Sequence, residues 1–466
     1  MIEKTINNIN NALYSYILIA LLVGAGIFFT IRTKFVQFRL LKEQIKSVTE
    51  KPKDKNGVSS FEALMVSTAS RVGTGNIIGV STAICLGGYG SVFWMWIIAI
   101  IGSASAFVES TLAQIYKRRG NDVSYGGPAY YIETALGSRG IAVIFSVLLI
   151  ITYGVGFNML ASFNLQSSFS SYSFYNKETS PWIIGFILAA IVLYCLIGGG
   201  KRIVTITGFL VPFMGVAYIF VALITVVINI SRIDDVLLKI FNDAFDFEAI
   251  FGGFSGSCLM YGIKRGLFSN EAGVGSAPNA SASAQVSHPA RQGLVQVLSV
   301  FIDTILVCSA TAFMCLCSGV EATTELAGAQ YVQLSLKSSL GIFGPVFITA
   351  AMILFAFTTL LGNLYYVDKA LIHLRGKEPG KRFMTISYVV FSFLIFIGSG
   401  LSADLLWNIA DISMGAMTLT NIPVIIILSP YAIKALKDYE YKLKNHKELS
   451  FKAKDIDLPY KTDYWK

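Results

Sequence analysis

Eleven apolar runs divide this chain, at roughly 12–31, 61–87, 90–116, 140–166, 181–198, 203–230, 248–268, 290–318, 343–366, 383–399 and 403–432. Most approach the about 20 residues that an α-helix needs to cross a bilayer. Lipid offers no partner to backbone N–H and C=O groups, so runs of this length must close their hydrogen bonds internally, as helices. Only 14% of the residues are charged, against about 25% in soluble domains. The expectation is an all-α integral membrane protein with eleven transmembrane helices.

The net charge of +9 could suit nucleic acid, but its placement points to a membrane instead. With the runs threaded alternately through a bilayer, 31 of the 37 Lys and Arg residues fall in connections on one side, Lys264 and Arg265 among them, and 5 on the other. Such an excess marks the cytoplasmic side. The N-terminus is then outside and the C-terminus cytoplasmic, in a multi-pass chain of the cell membrane, with no nucleic-acid partner. Run one has neither a basic flank before it nor a small-residue cleavage site, so it reads as a retained helix. The six cysteines lie in apolar runs without CxxC spacing, and the three histidines lie in connections or the tail. Both facts argue against a metal centre.

Two glycine-rich stretches interrupt the runs. Arg71-Val72-Gly73-Thr74-Gly75-Asn76 separates 61–70 from 77–86, and Gly252-Gly253-Phe254-Ser255-Gly256-Ser257 lies inside run seven. Broken helix is tolerated in a bilayer only where it is buried in protein or lines a polar cavity. With run one set aside, ten runs form two groups of five, and each interrupted run opens a group. Five is odd, so the groups have opposite orientation, which is the inverted repeat of transporters that bind cargo at discontinuous helices. The expected divisions are 1–60, an extra N-terminal helix and basic loop; 61–232 and 233–432, the two repeats; and 433–466, a tail lying over the inner surface or partly disordered.

A break near 73–76 brings carbonyls with partial negative charge and N–H groups with partial positive charge to one place. These ends fit the ammonium and carboxylate of a zwitterion, with the carboxylate towards Asn76 and Ile77. Gly73, Thr74, Gly75 and Asn76 are therefore candidate substrate residues. Ser255 and Gly256 of the second interruption join them, as do Thr359 and Asn363, which share one face of run nine. Thr74, Thr358 and Thr359 offer hydroxyls to Na⁺. The plainer readings are a close helix crossing for the glycines and back-bonding to their own helix for the threonines; for a lone Thr-Thr pair the latter is commoner.

Arg71 lies near the midplane, where an ionised side chain costs at least about 2.5–3.5 kcal/mol, and it needs a partner. Glu109 and Asp303 stand at compatible depths, and a structural pair remote from substrate is the alternative. Residues 264–290, small and polar, read as a re-entrant or gating segment on the cytoplasmic side. Gly126-Gly127-Pro128 followed by Ala129-Tyr130-Tyr131-Ile132 reads as a turn and an interfacial helix with its tyrosines among the headgroups.

At several of these places the chain resembles the alanine-or-glycine:cation symporter family, also called sodium:alanine symporters. The similar strings are Arg32-Thr33-Lys34-Phe35-Val36-Gln37-Phe38-Arg39, Arg71-Val72-Gly73-Thr74-Gly75-Asn76-Ile77, Phe93-Trp94-Met95-Trp96, Gly126-Gly127-Pro128-Ala129-Tyr130-Tyr131-Ile132, Arg265-Gly266-Leu267-Phe268-Ser269-Asn270-Glu271-Ala272-Gly273, Gly275-Ser276-Ala277-Pro278-Asn279 and Val300-Phe301-Ile302-Asp303-Thr304. The resemblance implies a leucine-transporter-type five-plus-five inverted repeat in the amino acid–polyamine–cation superfamily, here preceded by one extra helix. It also implies Na⁺-coupled uptake of small neutral amino acids. By match to the family pattern, Gly73 to Asn76 fall in the broken first core helix, and Thr358 and Thr359 in the eighth. Two places differ: Asn363 stands where members often carry Trp, and Ala161 where many carry Gln. Alanine, glycine, serine and glutamine all stay open as cargo.

Rival readings are coupling to H⁺ through intramembrane carboxylates such as Asp303, a channel, and a membrane enzyme. The sequence shows no nucleophile–base constellation for the last. No cofactor beyond the coupling ion is expected, and the functional unit is expected to be a monomer.

Overall fold

The computed structural model describes residues 10–52, 57–120, 123–253, 257–459 and 462–465. Among them the regular structure is helical, joined by two isolated β-bridges, Val58 with Ala284 and Arg118 with Tyr125. Eight helices are long and apolar enough to span a membrane. They are α1 (Asn10–Arg32), α4 (Ser91–Ile115), α6 (Arg139–Ser167), α8 (Gly199–Ile228), α11 (Pro289–Leu316), α13 (Phe343–Arg375), α14 (Lys381–Gly398) and α15 (Ala403–Lys444). Shorter helices complete the frame: α2 (Ser60–Arg71), α3 (Gly75–Gly87), α5 (Pro128–Leu136), α7 (Ser180–Leu196), α9 (Ile233–Ala244), α10 (Cys258–Asn270) and α12 (Ala329–Leu340).

Where these helices face outward they present apolar side chains. Phe209, Phe213, Val216 and Phe220 on α8 are all at least 60% exposed. A continuous apolar face of that kind suits acyl chains, not water. Inside, contact rests on small residues and on hydrogen bonds between helices, the two devices that work in lipid. A Cβ on Gly362 of α13 would sit 2.6 Å from the Ser70 backbone of α2, so only glycine lets the two helices cross there. Glutamines of α11 then reach α2: Gln292 Nε2 donates to Ser60 Oγ at 3.0 Å, and Gln296 Nε2 to Ser67 Oγ at 3.0 Å.

Helix α2 begins in a capping box. Ser59 Oγ accepts from the Glu62 amide at 3.1 Å, and Glu62 Oε2 accepts from the Ser59 amide at 2.8 Å. The pairing satisfies two orphan N–H groups at a helix start. The helix stops at Arg71, and α3 begins at Gly75. The first sequence interruption is thus a true break, with Asn76 Oδ1 accepting from the Gly73 amide at 2.8 Å.

The second break lies elsewhere than expected. Gly252 closes a short helix, Phe247–Gly252, and nothing comes within 4 Å of its added Cβ. Ser255 and Gly256 lie outside the described residues. The helix that enters the protein is α10, and it ends at Asn270. Residues 271–277 follow without helix, and Pro278–Ser281 forms a turn beyond them. Glu271 is left-handed at φ 52°, and Gly273 and Gly275 stand at φ 86° and 91°, a conformation that costs a side-chain-bearing residue about 1–2 kcal/mol. Lys264 and Arg265, counted above among the cytoplasmic cations, are buried on α10 instead. The break among the packed helices is made by Glu271 and two glycines held by neighbouring helices.

Helix α5 forms as expected, but its tyrosines are buried in protein. Tyr130 donates to the Lys369 carbonyl at 3.0 Å, and Tyr131 to Asn421 Oδ1. Described residues of the tail pack on the protein: Trp465 Nε1 donates to the Gln114 carbonyl at 2.7 Å, and the Tyr464 ring lies 3.8 Å from Lys117 Nζ. Burial pushes the Lys117 ammonium well below its usual range. Its bond to the Ala284 carbonyl, 2.8 Å, and the aromatic face favour the charged form. We call this side the tail face; the start of α1 lies on the opposite face.

Candidate functional site

The two breaks meet at a small buried cavity of about 20 Å³, room for about one or two waters. The first break supplies Ser70, Arg71, Gly73, Thr74 and Gly75; α6 supplies Phe157, Leu160 and Ala161; α10 and its end supply Phe268 and Glu271; α13 supplies Thr359. Glycine is required at the wall. A Cβ on Gly73 would lie 2.1 Å from Thr359 Oγ1, and one on Gly75 would lie 2.6 Å from the Phe268 ring. The Thr359 hydroxyl is buried and has no hydrogen-bond partner. Thr74 Oγ1 accepts from Asn164 Nδ2 at 3.1 Å. Two helices end beside the cavity, α2 at Arg71 and α10 at Asn270, and a helix C-terminus carries partial negative charge.

Other expected residues stand behind this wall. Asn76 does not line the cavity. Its amide donates to Asp303 Oδ1 at 2.7 Å and to Ser269 Oγ at 3.1 Å, so it ties α3 to α10 and α11. Asn363 accepts from Ser70 Oγ at 2.6 Å and donates to Asn158 Oδ1 at 3.0 Å, acting on the cavity through Ser70. The Thr358 hydroxyl turns back to the Leu354 carbonyl at 2.9 Å and towards Met214 Sδ, away from the break. Adjacent residues on a helix point about 100° apart, and here only Thr359 faces α2.

Among the described residues Arg71 forms no ion pair within 4.0 Å, so neither proposed partner contacts it. Its Nη1 donates to Gln296 Oε1 at 3.2 Å, while Nε and Nη2 have no partner. Its charge nevertheless acts on Glu109, Glu271 and Asp303. Glu109 accepts from Asn421 Nδ2 at 3.0 Å and the Gly273 amide at 3.4 Å, and Asn421 donates also to the Gly273 carbonyl at 2.9 Å. These contacts give the second break partners that lipid could not supply.

Towards the face where α1 begins, the cavity is roofed by a column of rings and charges. Phe157 packs on Phe268 with centroids 4.7 Å apart, and Phe268 on Trp407 at 4.9 Å; Arg265 lies 3.9 Å over Trp407. Asp411, one turn along α15, takes Lys264 at 2.9 Å and Arg265 at 3.3 Å. Asn10 and Tyr14 of α1 close the column, Tyr14 donating to the Asp411 carbonyl at 3.1 Å. Sequence reasoning missed Glu271, Phe157, Phe268 and this charged cluster. An acid among small residues was the available signal, obscured once the second break was placed at the wrong end of α10.

Discontinuous helices meeting at a buried cavity are the arrangement found in transporters, and comparison with known proteins agrees. The sodium:alanine symporter family model matches residues 1–453. The amino-acid carrier protein AlsT of Bacillus subtilis is 41% identical over 463 residues, covering 99% of this chain and 97% of the relative. The probable sodium/glutamine symporter GlnT of the same organism is 41% identical over 459 residues, covering 98% and 94%. Among solved structures, MhsT in complex with L-phenylalanine superposes with a TM-score of 0.56 at 16% identity, covering 82% of this chain and 98% of that one. The chain belongs to the sodium:alanine symporter family: it is a multi-pass membrane protein of amino-acid symport with the leucine-transporter fold, and not an enzyme.

Proposed function

We propose that the protein imports a small neutral amino acid together with Na⁺ by alternating access. Eleven helices would cross the bilayer of the cell membrane: α1 as the extra helix, then the repeats 61–232 and 233–432. The α1 start and the Asp411 column would face outside and the tail face the cytoplasm. One observation carries the reading: two helix C-termini and an unpartnered threonine hydroxyl converge on one buried cavity. Carbonyl ends and hydroxyls are hard oxygen ligands that suit Na⁺ at broken helices, and Thr359 and Thr74 are the hydroxyls at hand. The small residues Gly73 and Ala161 in the cavity wall favour alanine or glycine, with serine and glutamine as larger candidates. The protein would work as a monomer.

Coupling to H⁺ is the second reading, favoured by three buried carboxylates, Glu109, Glu271 and Asp303, around one Arg71. Purified protein in liposomes, with Na⁺ and pH gradients imposed separately, tests both. Accumulation of radiolabelled alanine driven by Na⁺ alone is expected. Accumulation driven by pH alone selects H⁺ coupling, and passive equilibration selects a channel.

A further inference from the structure

The wall of the cavity carries one cation and one anion, and each lacks what the other end of an α-amino acid would give it. Arg71 is 2% exposed, yet only one of its three guanidinium nitrogens is hydrogen-bonded. A guanidinium offers five donors in a fixed fork that matches a carboxylate. The protein's acids do not fill it. Asp303 is held by Asn76 and Thr304, and Glu109 by Asn421 and the Gly273 amide. Gln296, fixed by its own bond to Ser67, gives Arg71 a single acceptor. At the N-terminal end of α3 the Asn76 amide already donates to the Gly73 carbonyl at 3.1 Å, and the Gly73 amide before it to Asn76 Oδ1.

Glu271 is the converse case. It follows the last residue of α10, where the helix dipole presents negative charge, so an adjacent carboxylate calls for a cation. Its carboxylate accepts from Ser276 and is met by the Tyr153 hydroxyl, both neutral donors, and the residue lines the cavity in a left-handed conformation unusual for a glutamate. Backbone held against its preference is a pointer to function.

Resting on the symport reading above, we infer that Arg71 holds the carboxylate of the transported zwitterion and Glu271 its ammonium. Thr359 stands beside them, and the side chain of the cargo turns to Ala161 and Leu160. Recognition is then of the α-amino-acid head, and the apolar wall limits the size of what hangs from it.

Competition for radiolabelled alanine on detergent-solubilised protein in Na⁺ tests this. Alaninamide keeps the ammonium and lacks the carboxylate; lactate keeps the carboxylate and replaces the ammonium with hydroxyl. Arg71→Gln is expected to shrink the preference for alanine over alaninamide by about tenfold or more while leaving the preference over lactate intact, and Glu271→Gln the reverse. A merely structural role would weaken all three ligands together and leave both ratios unchanged, which overturns the assignment. If a neutral variant does not fold, Arg71→Lys and Glu271→Asp carry the same test, with smaller shifts expected and unchanged ratios counting against the assignment. Wild-type protein that binds no alanine in Na⁺ overturns the symport reading itself, and this inference with it.

Discussion

The first break spans residues 72–74 and largely closes on itself; the second spans 271–277 and is held by other helices. In the first, Asn76 Oδ1 folds back onto the amide of Gly73, three residues before it. In the second, Asn421 and Glu109 reach in from α15 and α4, and the Asp411 column fixes the helix that leads into it. Local side chains suffice for a short gap, whereas a seven-residue gap needs partners brought by tertiary structure. The second break should therefore be the more sensitive to distant substitutions, and the first to substitutions within it.

The largest test is Asp411→Asn. It strands Lys264 and Arg265, both nearly buried, and breaking such a pair costs about 3–5 kcal/mol. A clear fall in the thermal midpoint of the solubilised protein is expected, partly restored by adding Lys264→Met. An unchanged midpoint would mean that the column does not hold the second break. Gly273→Ala comes next. Its φ of 86° and a Cβ 2.5 Å from Ile422 Cδ1 combine strain with overpacking, together about 2–4 kcal/mol; loss of uptake with reduced stability is the expected result.

Within the first break, Thr359→Ala should raise the Na⁺ concentration for half-maximal uptake by about tenfold, near the value of one hydrogen bond to a charged group. Thr358→Ala should raise it less, since its hydroxyl is spent on its own helix; equal effects would place Na⁺ differently. The smallest change is Gly252→Ala, at a position with open space around it. Stability within about 0.5 kcal/mol and normal uptake are expected. Loss of function there, with Gly273→Ala tolerated, would reverse the comparison.

The first break was legible because two glycines and an asparagine sit together in an apolar run, and each acts on its own backbone. Thr359 was legible only as half of a pair; which hydroxyl faces α2 depends on how α13 rotates about Gly362. Asn363 and Asn76, expected as substrate residues, stand one layer behind the cavity wall. Arg71 was recognisable as costly, while its lack of an ionic contact could not be foreseen, since that depends on Asn76, Thr304 and Asn421 having already claimed the carboxylates. Lys264 and Arg265 misled the charge tally because a sequence count cannot distinguish a cation in a loop from one folded against an aspartate.

What the sequence alone determined is whatever follows from each residue's relation to its near neighbours: helices long enough for lipid, and the first interruption. Only tertiary structure decided where the second interruption falls, which polar groups meet at the cavity and which are consumed behind it. The physical reason is that a buried polar group is defined by its partners, and in this chain those partners come from helices hundreds of residues away, as in the Ser70–Asn363 and Glu109–Asn421 contacts.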